Sequence, residues 1–180
     1  MKTLVAISGA SGAHLGIKLA NAIASLENDT HMIISENALI SMQKEGFNEK
    51  VDKNIRIYSN NEIWAAPASG SSKFENMIIA PCSINSLAKI ASSISDNLIL
   101  RAAAVMIKEH KKLILGVREM PLSAISLRQM ADLATLGVII APPIIGYYSE
   151  IKSLKDMENF VIGKWLDTLE IKHDIFSRWK

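Results

Sequence analysis

Short runs of aliphatic and β-branched residues alternate along the chain with stretches whose apolar positions recur at helical spacing. The runs at 3–8, 30–34, 54–58, 76–80, 112–117 and 138–141 predict strands. Several are continuously apolar, as in Met77-Ile-Ile-Ala80 and Leu113-Ile-Leu115, the pattern of strands buried on both faces. Leu15, Leu19, Ile23 and Leu26 form a single stripe behind the first strand and predict the first helix. Further helices are predicted over 36–45, 84–94, 97–110, 124–136 and 154–169, the last opened by the capping pattern Ser153-Leu-Lys-Asp156. Such alternation specifies an α/β domain with a parallel sheet covered on both faces. The stretch 98–107 is apolar all round except for Arg101, so every side of that helix must be covered. A neighbouring subunit and the chain's own core are equally open as the cover, and on this feature a homo-oligomer is expected.

Composition narrows the function classes. The 180 residues are 49% hydrophobic and 21% charged, which is globular. Twenty basic residues against eighteen acidic give a net charge of +2 and are scattered, so neither a nucleic-acid stripe nor a polybasic membrane patch is expected. The lone cysteine, Cys82, excludes an internal disulfide framework and suits a reducing compartment. The apolar start runs directly into Gly9–Gly12, too soon for a signal peptide, and the apolar stretch 137–146 is about half a membrane span and holds Pro142-Pro143. A cytoplasmic location is expected. His14, His31, His110 and His173 have no metal-ligand spacing, are read as incidental, and no metal is expected.

Ligands of open parallel sheets sit beyond the carboxyl ends of the strands. Gly9-Ala-Ser-Gly12 follows the first predicted strand and Pro81-Cys-Ser-Ile-Asn-Ser86 the fourth, each opening a helix, with Ser83 placed as an N-cap. Small residues admit a ligand close to the backbone, and free amides at a helix start attract an anion. Two such loops at one edge point to a phosphorylated ligand, although either alone could be only a tight turn. The first is not a Walker A loop, since no Gly-Lys-Ser/Thr follows, and Gly9, Gly12 and Gly16 miss the dinucleotide spacing. Tyr148 and Lys152 have the spacing of a short-chain dehydrogenase pair. That family's glycine pattern meets Ala13 and Leu15 here, and the tyrosine follows a Pro-Pro-Ile-Ile-Gly loop. Cys82 has no histidine near it in sequence and reads as a buried spacer.

Eight motifs, in order, resemble those of the UbiX-type flavin prenyltransferases: Ser8-Gly-Ala-Ser-Gly12, Pro67-Ala-Ser-Gly-Ser71, Ala80-Pro-Cys-Ser83, Asp96-Asn-Leu with Arg101-Ala, Lys108-Glu109, Arg118-Glu-Met-Pro-Leu-Ser123, Pro142-Pro with Gly146-Tyr-Tyr148, and Leu166-Asp167. The resemblance runs from about residue 4 to 179. It implies a three-layer, Rossmann-like (flavodoxin-like), doubly wound flavoprotein fold in one domain over 1–180, with the last helix and tail, about 153–180, closing the site or forming an oligomer contact. It also implies a dodecamer that joins a dimethylallyl group from dimethylallyl monophosphate to reduced FMN across flavin N5 and C6. The prenylated FMN would serve UbiD-type decarboxylases, in ubiquinone or menaquinone synthesis or in aromatic-acid breakdown.

By the same resemblance Gly9, Ala10, Ser11, Ser35, Ser83, Ile84, Asn85, Ser86 and Arg118 contact FMN. The donor phosphate would lie near Ser11, Arg118, Tyr148 and Lys164. Glu45, Lys108 and Glu119 are implied around the reacting groups, and Trp64 beside the allyl group. Cleaving an allylic C–O bond leaves a cation and a phosphate, so cationic side chains and an aromatic face are the residue types the chemistry needs. Lys164 departs from the family, which usually carries an arginine before Leu-Asp, and lysine lacks the bidentate fork. Two alternatives from other classes are an FMN-dependent cysteine decarboxylase, whose asparagine-methionine clamp is replaced here by the run 118–123, and a non-catalytic flavin carrier.

Overall fold

The computed structural model describes residues 1–179; Lys180, the last residue of the expected tail, lies outside the described residues. Six strands, β1 (Lys2–Ile7), β2 (Asp29–Ile34), β3 (Arg56–Ser59), β4 (Asn76–Cys82), β5 (Lys112–Val117) and β6 (Ile139–Ile140), form one sheet in the order β3-β2-β1-β4-β5-β6. Every neighbouring pair is parallel. Of the two common doubly wound orders this is the Rossmann one, and its switch point falls between β1 and β4. Helices α1 (Ala13–Ser25), α2 (Glu36–Lys44) and α6 (Leu154–Thr168) bury Ile17, Met42 and Trp165 on one face. On the other face α3 (Ile84–Ala91), α4 (Leu98–Lys108) and α5 (Ala124–Thr135) bury Leu87, Leu98 and Leu133.

Local chemistry fixes the element ends. Ser35, Ser83, Asn97, Ser123 and Ser153 cap α2 to α6, each accepting a backbone N–H at the helix start, an interaction worth ~1 kcal/mol. β4 runs two residues past its predicted end, taking in Pro81 where its register with β5 shifts. A proline has no ladder N–H to donate, and a bulge is where a central strand tolerates one. β6 is one residue shorter than predicted at each end; Ala141 N still donates to Leu115 O (2.9 Å), and Pro142 and Pro143 stop the ladder there. Arg118 and Glu119 lie just beyond β5, and both are exposed.

The chain's own core covers α4. Leu98, Ile99, Leu100, Ala102, Ala103 and Met106 are buried in a single chain's core cluster, Val105 is buried too, and Ala65, Ala66 and Ala68 of the connection between β3 and β4 pack against that cluster. Of the two covers left open by the sequence it is the chain's own core that is used, so the apolar circumference of α4 is no argument for a second subunit. Large exposed apolar side chains lie elsewhere, Leu39 and Ile40 on α2 and Ile125 and Leu127 on α5.

Three of the four histidines are built into the structure and are not incidental. His14 stacks on Phe47 with ring centroids 3.6 Å apart, and its Nε2 lies 2.7 Å from the buried Glu158 carboxylate. His173 Nε2 lies 3.0 Å from Asp167. His31, buried on β2, donates from Nε2 to Asp29 (3.0 Å), which leaves Nδ1 to accept from the Tyr58 hydroxyl (3.0 Å). Burial, helped by Lys2 and Arg56 and opposed by Asp29, holds the His31 pKa below its ordinary 6.5. The folded state thus disfavours the protonated ring, so this contribution to stability is complete above about 6.5 and declines as pH falls through the folded pKa. The melting temperature should drop between pH 7.5 and 5.5, and drop less in His31→Gln. Parallel pH profiles for the two proteins would contradict this account.

Candidate functional site at the carboxyl edge

At the switch point the ends of β1 and β4 are stitched by one hydroxyl. Ser8 Oγ donates to Pro81 O (2.9 Å) and accepts from Ser83 N (2.8 Å), holding the 9–12 and 83–86 loops side by side. Arg118 N donates to Cys82 O (3.0 Å), which brings the start of the 118–123 loop beside them. A Cβ on Gly9 would overlap Asn37 Cβ, and Gly12 has φ +81°. A Cβ on Gly16 would overlap Ala80 O and the Ile7 side chain, so this glycine lets α1 press onto the sheet. Third glycines of dinucleotide loops do the same, at a different spacing.

α1 differs from the other five helices. Its N-cap, Gly12, offers no side-chain cap, and the Gly12 amide instead donates to both oxygens of Glu45 at 3.3 and 3.1 Å. Glu45 is the C-cap of α2, and the chain after it runs along α1: Phe47 stacks on His14, and Glu49 lies 3.3 Å from Lys18. Lys18 also donates to Glu158 of α6 at 2.7 Å. Burial works to raise the Glu158 carboxyl, but hydrogen bonds from Lys18 and His14 overcome it and hold the group below the usual range. The α1 start is thus braced from α2 and α6, with its first-turn amides beside the two loops, and an anion there meets the positive end of the helix dipole. Ser11 and Asn85 are exposed at this edge, and Gly9, Ala10, Ser35, Ser83, Ile84 and Ser86 are partly exposed. The residues fit the terminal phosphate of a mononucleotide: small side chains and hydroxyls at two helix starts, with Arg118 at the head of the adjoining loop and the Gly12 amide held by Glu45. Cys82 takes no part, since full burial pushes its thiol up to about 12.

The other expected site residues divide into separate places. Glu119 extends into solvent, its carboxylate accepting from Met120 N (2.9 Å), and Trp64, 80% exposed, lies in the connection beyond β3. Lys164 lines an open cavity of about 320 Å³ at the β6 edge, walled by Ala141, Pro142, Ile144, Phe160 and Trp165, with no residue from the 9–12 or 83–86 loops. Tyr148 meets Phe160 of that wall edge to face at 5.6 Å. Lys108 ends α4 four residues before β5 begins, which puts it at the amino edge of the sheet, paired with Glu109. One chain therefore does not gather all these groups. Sequence reasoning passed over Ser8, whose signal was its place at the head of the first motif, and Gly16, whose tight packing had no local signal. Among the described residues no cluster of three or more His, Cys, Asp or Glu could hold a metal ion, and no helix is long and apolar enough to cross a membrane.

Fold and edge together define a mononucleotide-binding α/β protein of the Rossmann-like class. The family model described as Flavoprotein matches residues 1–166. A flavin prenyltransferase UbiX from Campylobacter jejuni is 46% identical over 188 residues, covering 100% of this chain and 99% of the relative. The solved structure of AnUbiX (PadA1) in complex with FMN and dimethylallyl pyrophosphate superposes with a TM-score of 0.93 at 35% identity, covering 99% of this chain and 97% of that one. A dodecameric FMN-dependent UbiX-like decarboxylase from Escherichia coli O157:H7 gives a TM-score of 0.93 at 33% identity, with both chains covered in full. The chain belongs to the flavoprotein family and, within it, to the flavin prenyltransferases.

Proposed function

We propose that the protein transfers a dimethylallyl group from dimethylallyl monophosphate to reduced FMN, bonding at N5 and C6, and yields prenylated FMN for a UbiD-type decarboxylase. The observation that carries this reading is the α1 start, the one α-helix N-terminus among the described residues whose N-cap residue supplies no side-chain acceptor of its own, set at the switch point beside the 83–86 loop and the start of the 118–123 loop. Gly9, Ala10, Ser11, Ser35, residues 83–86 and Arg118 hold FMN, which supplies the nucleophilic acceptor. Arg118, Tyr148 and Lys164 hold the donor phosphate and stabilise the charge that grows on it as the allylic C–O bond breaks. Trp64 faces the allyl cation with its π system, which stabilises without trapping. Glu45, Glu119 or the released phosphate takes the proton from flavin C6, and Lys108 bears on the departing phosphate.

Lys108 lies at the amino edge of the sheet, away from the flavin edge in one chain, which supports a site completed by other copies in a cytoplasmic homo-oligomer, a dodecamer. The exposed Leu39, Ile40, Ile125 and Leu127 supply apolar surface for such contacts. The test is to incubate the protein with reduced FMN and either dimethylallyl monophosphate or diphosphate, then to weigh the flavin. A flavin heavier by one isoprene unit with the monophosphate is expected. Unaltered flavin mass with both donors would overturn the reading.

A further inference from the structure

Beyond α6 the chain turns back along the helix and grips it at several points. Phe176 covers Gly163, where any Cβ would overlap its ring, and meets Phe160 edge on at 5.1 Å. Trp179 meets Tyr148 edge on at 5.2 Å. Arg178 donates to both oxygens of Asp167, at 3.1 and 2.8 Å, and the buried His173 lies 3.0 Å from the same carboxylate.

Asp167 sits one turn beyond Lys164, with the ammonium 3.8 Å from its Oδ2. A free carboxylate at this spacing would draw the lysine to itself and repel an incoming anion. Burial works to raise Asp167, but Arg178 and His173 overcome it, so the group stays ionised at neutral pH. Its charge must therefore be answered by a partner, and Arg178 answers it with two hydrogen bonds. Among the described residues the Lys164 ammonium makes no hydrogen bond, and it stands at the cavity of about 320 Å³.

We propose that residues 173–179 form a latch in which Arg178 neutralises Asp167 and so weakens its hold on Lys164, leaving the ammonium available to an anionic phosphate ligand, while Trp179 fixes Tyr148 against Phe160 of the same cavity wall. Arg178 is then a positioning residue for donor binding, a role that rests on the donor reading given above.

The test uses the FMN-loaded full chain and measures equilibrium binding of dimethylallyl monophosphate together with steady-state prenylation. Arg178→Gln should raise the donor dissociation constant and KM about three- to tenfold, with kcat and FMN affinity within about twofold of the parent. Adding Asp167→Asn should restore donor binding, because no carboxylate remains to capture Lys164. Gly163→Ala, which displaces Phe176 without changing a charge, should weaken the donor as Arg178→Gln does and serves if that variant folds poorly. Unchanged donor binding in both single variants, or a double variant no better than Arg178→Gln, would overturn the latch. If the parent protein itself fails to bind the donor, the donor reading falls and the latch with it, an outcome separate from the other two.

Discussion

Lys164→Ala should lose about ten- to a hundredfold in kcat/KM for the donor, the equivalent of one charge-assisted hydrogen bond of ~1.5–3 kcal/mol. FMN affinity should not change, because the Lys164 cavity shares no residue with the 9–12 and 83–86 loops. Lys164→Arg should keep activity or tighten the donor, since a guanidinium adds a second parallel hydrogen bond to a phosphate. Titrating donor at fixed reduced FMN separates these outcomes, and coincident curves for all three proteins would leave Lys164 an ordinary solvated charge. Oligomers mixed from Lys164→Ala and Arg118→Ala chains provide a second readout. If the donor group of one copy serves the flavin edge of another, some sites in the mixture carry both side chains and activity reappears. Mixtures no better than either variant alone would place Lys164 and Arg118 in the same chain's site.

The sheet was legible because its strands carry the signal that burial on both faces imposes, and β1, β2 and β5 fall within about a residue of expectation. The phosphate edge was legible for a different reason. Gly9, Ala10, Ser11 and Gly12 are small, and Ser83 and Ser86 carry hydroxyls where a helix starts, so the signal lies in short local runs. What covers α4 was not legible. The connection at 65–72 folds into two short 3-10 turns, at Ala66–Ala68 and Gly70–Ser72, and such turns leave no period in the sequence. The same holds for the tail: Arg178 and Asp167 are separated by residues with no regular spacing, and only the tertiary fold makes them partners. Glu45 is an intermediate case. Its chemistry was suggested by the resemblance alone, whereas its hydrogen bonds to the Gly12 amide depend on how α2 is laid across the start of α1.

Trp64→Leu should slow adduct formation roughly thirtyfold while FMN binding stays intact, because leucine keeps much of the bulk but has no π face; this corresponds to a desolvated cation–π contact of ~2 kcal/mol. The size of the effect reports on assembly as well as on chemistry. In a single chain Trp64 is 80% exposed. An exposed ring is worth only ~0.5–1 kcal/mol to a cation, or about a two- to fivefold rate change. The larger figure therefore requires that another copy and the bound flavin cover the ring before the allylic bond breaks. Trp64→Phe, which retains a weaker π face, should fall between the parent and the leucine variant. Single-turnover rates with reduced FMN and dimethylallyl monophosphate measure all three, and an FMN titration checks that the acceptor site is undisturbed. A fivefold loss or less would mean that the ring remains wet during catalysis, and equal rates would remove Trp64 from the reaction.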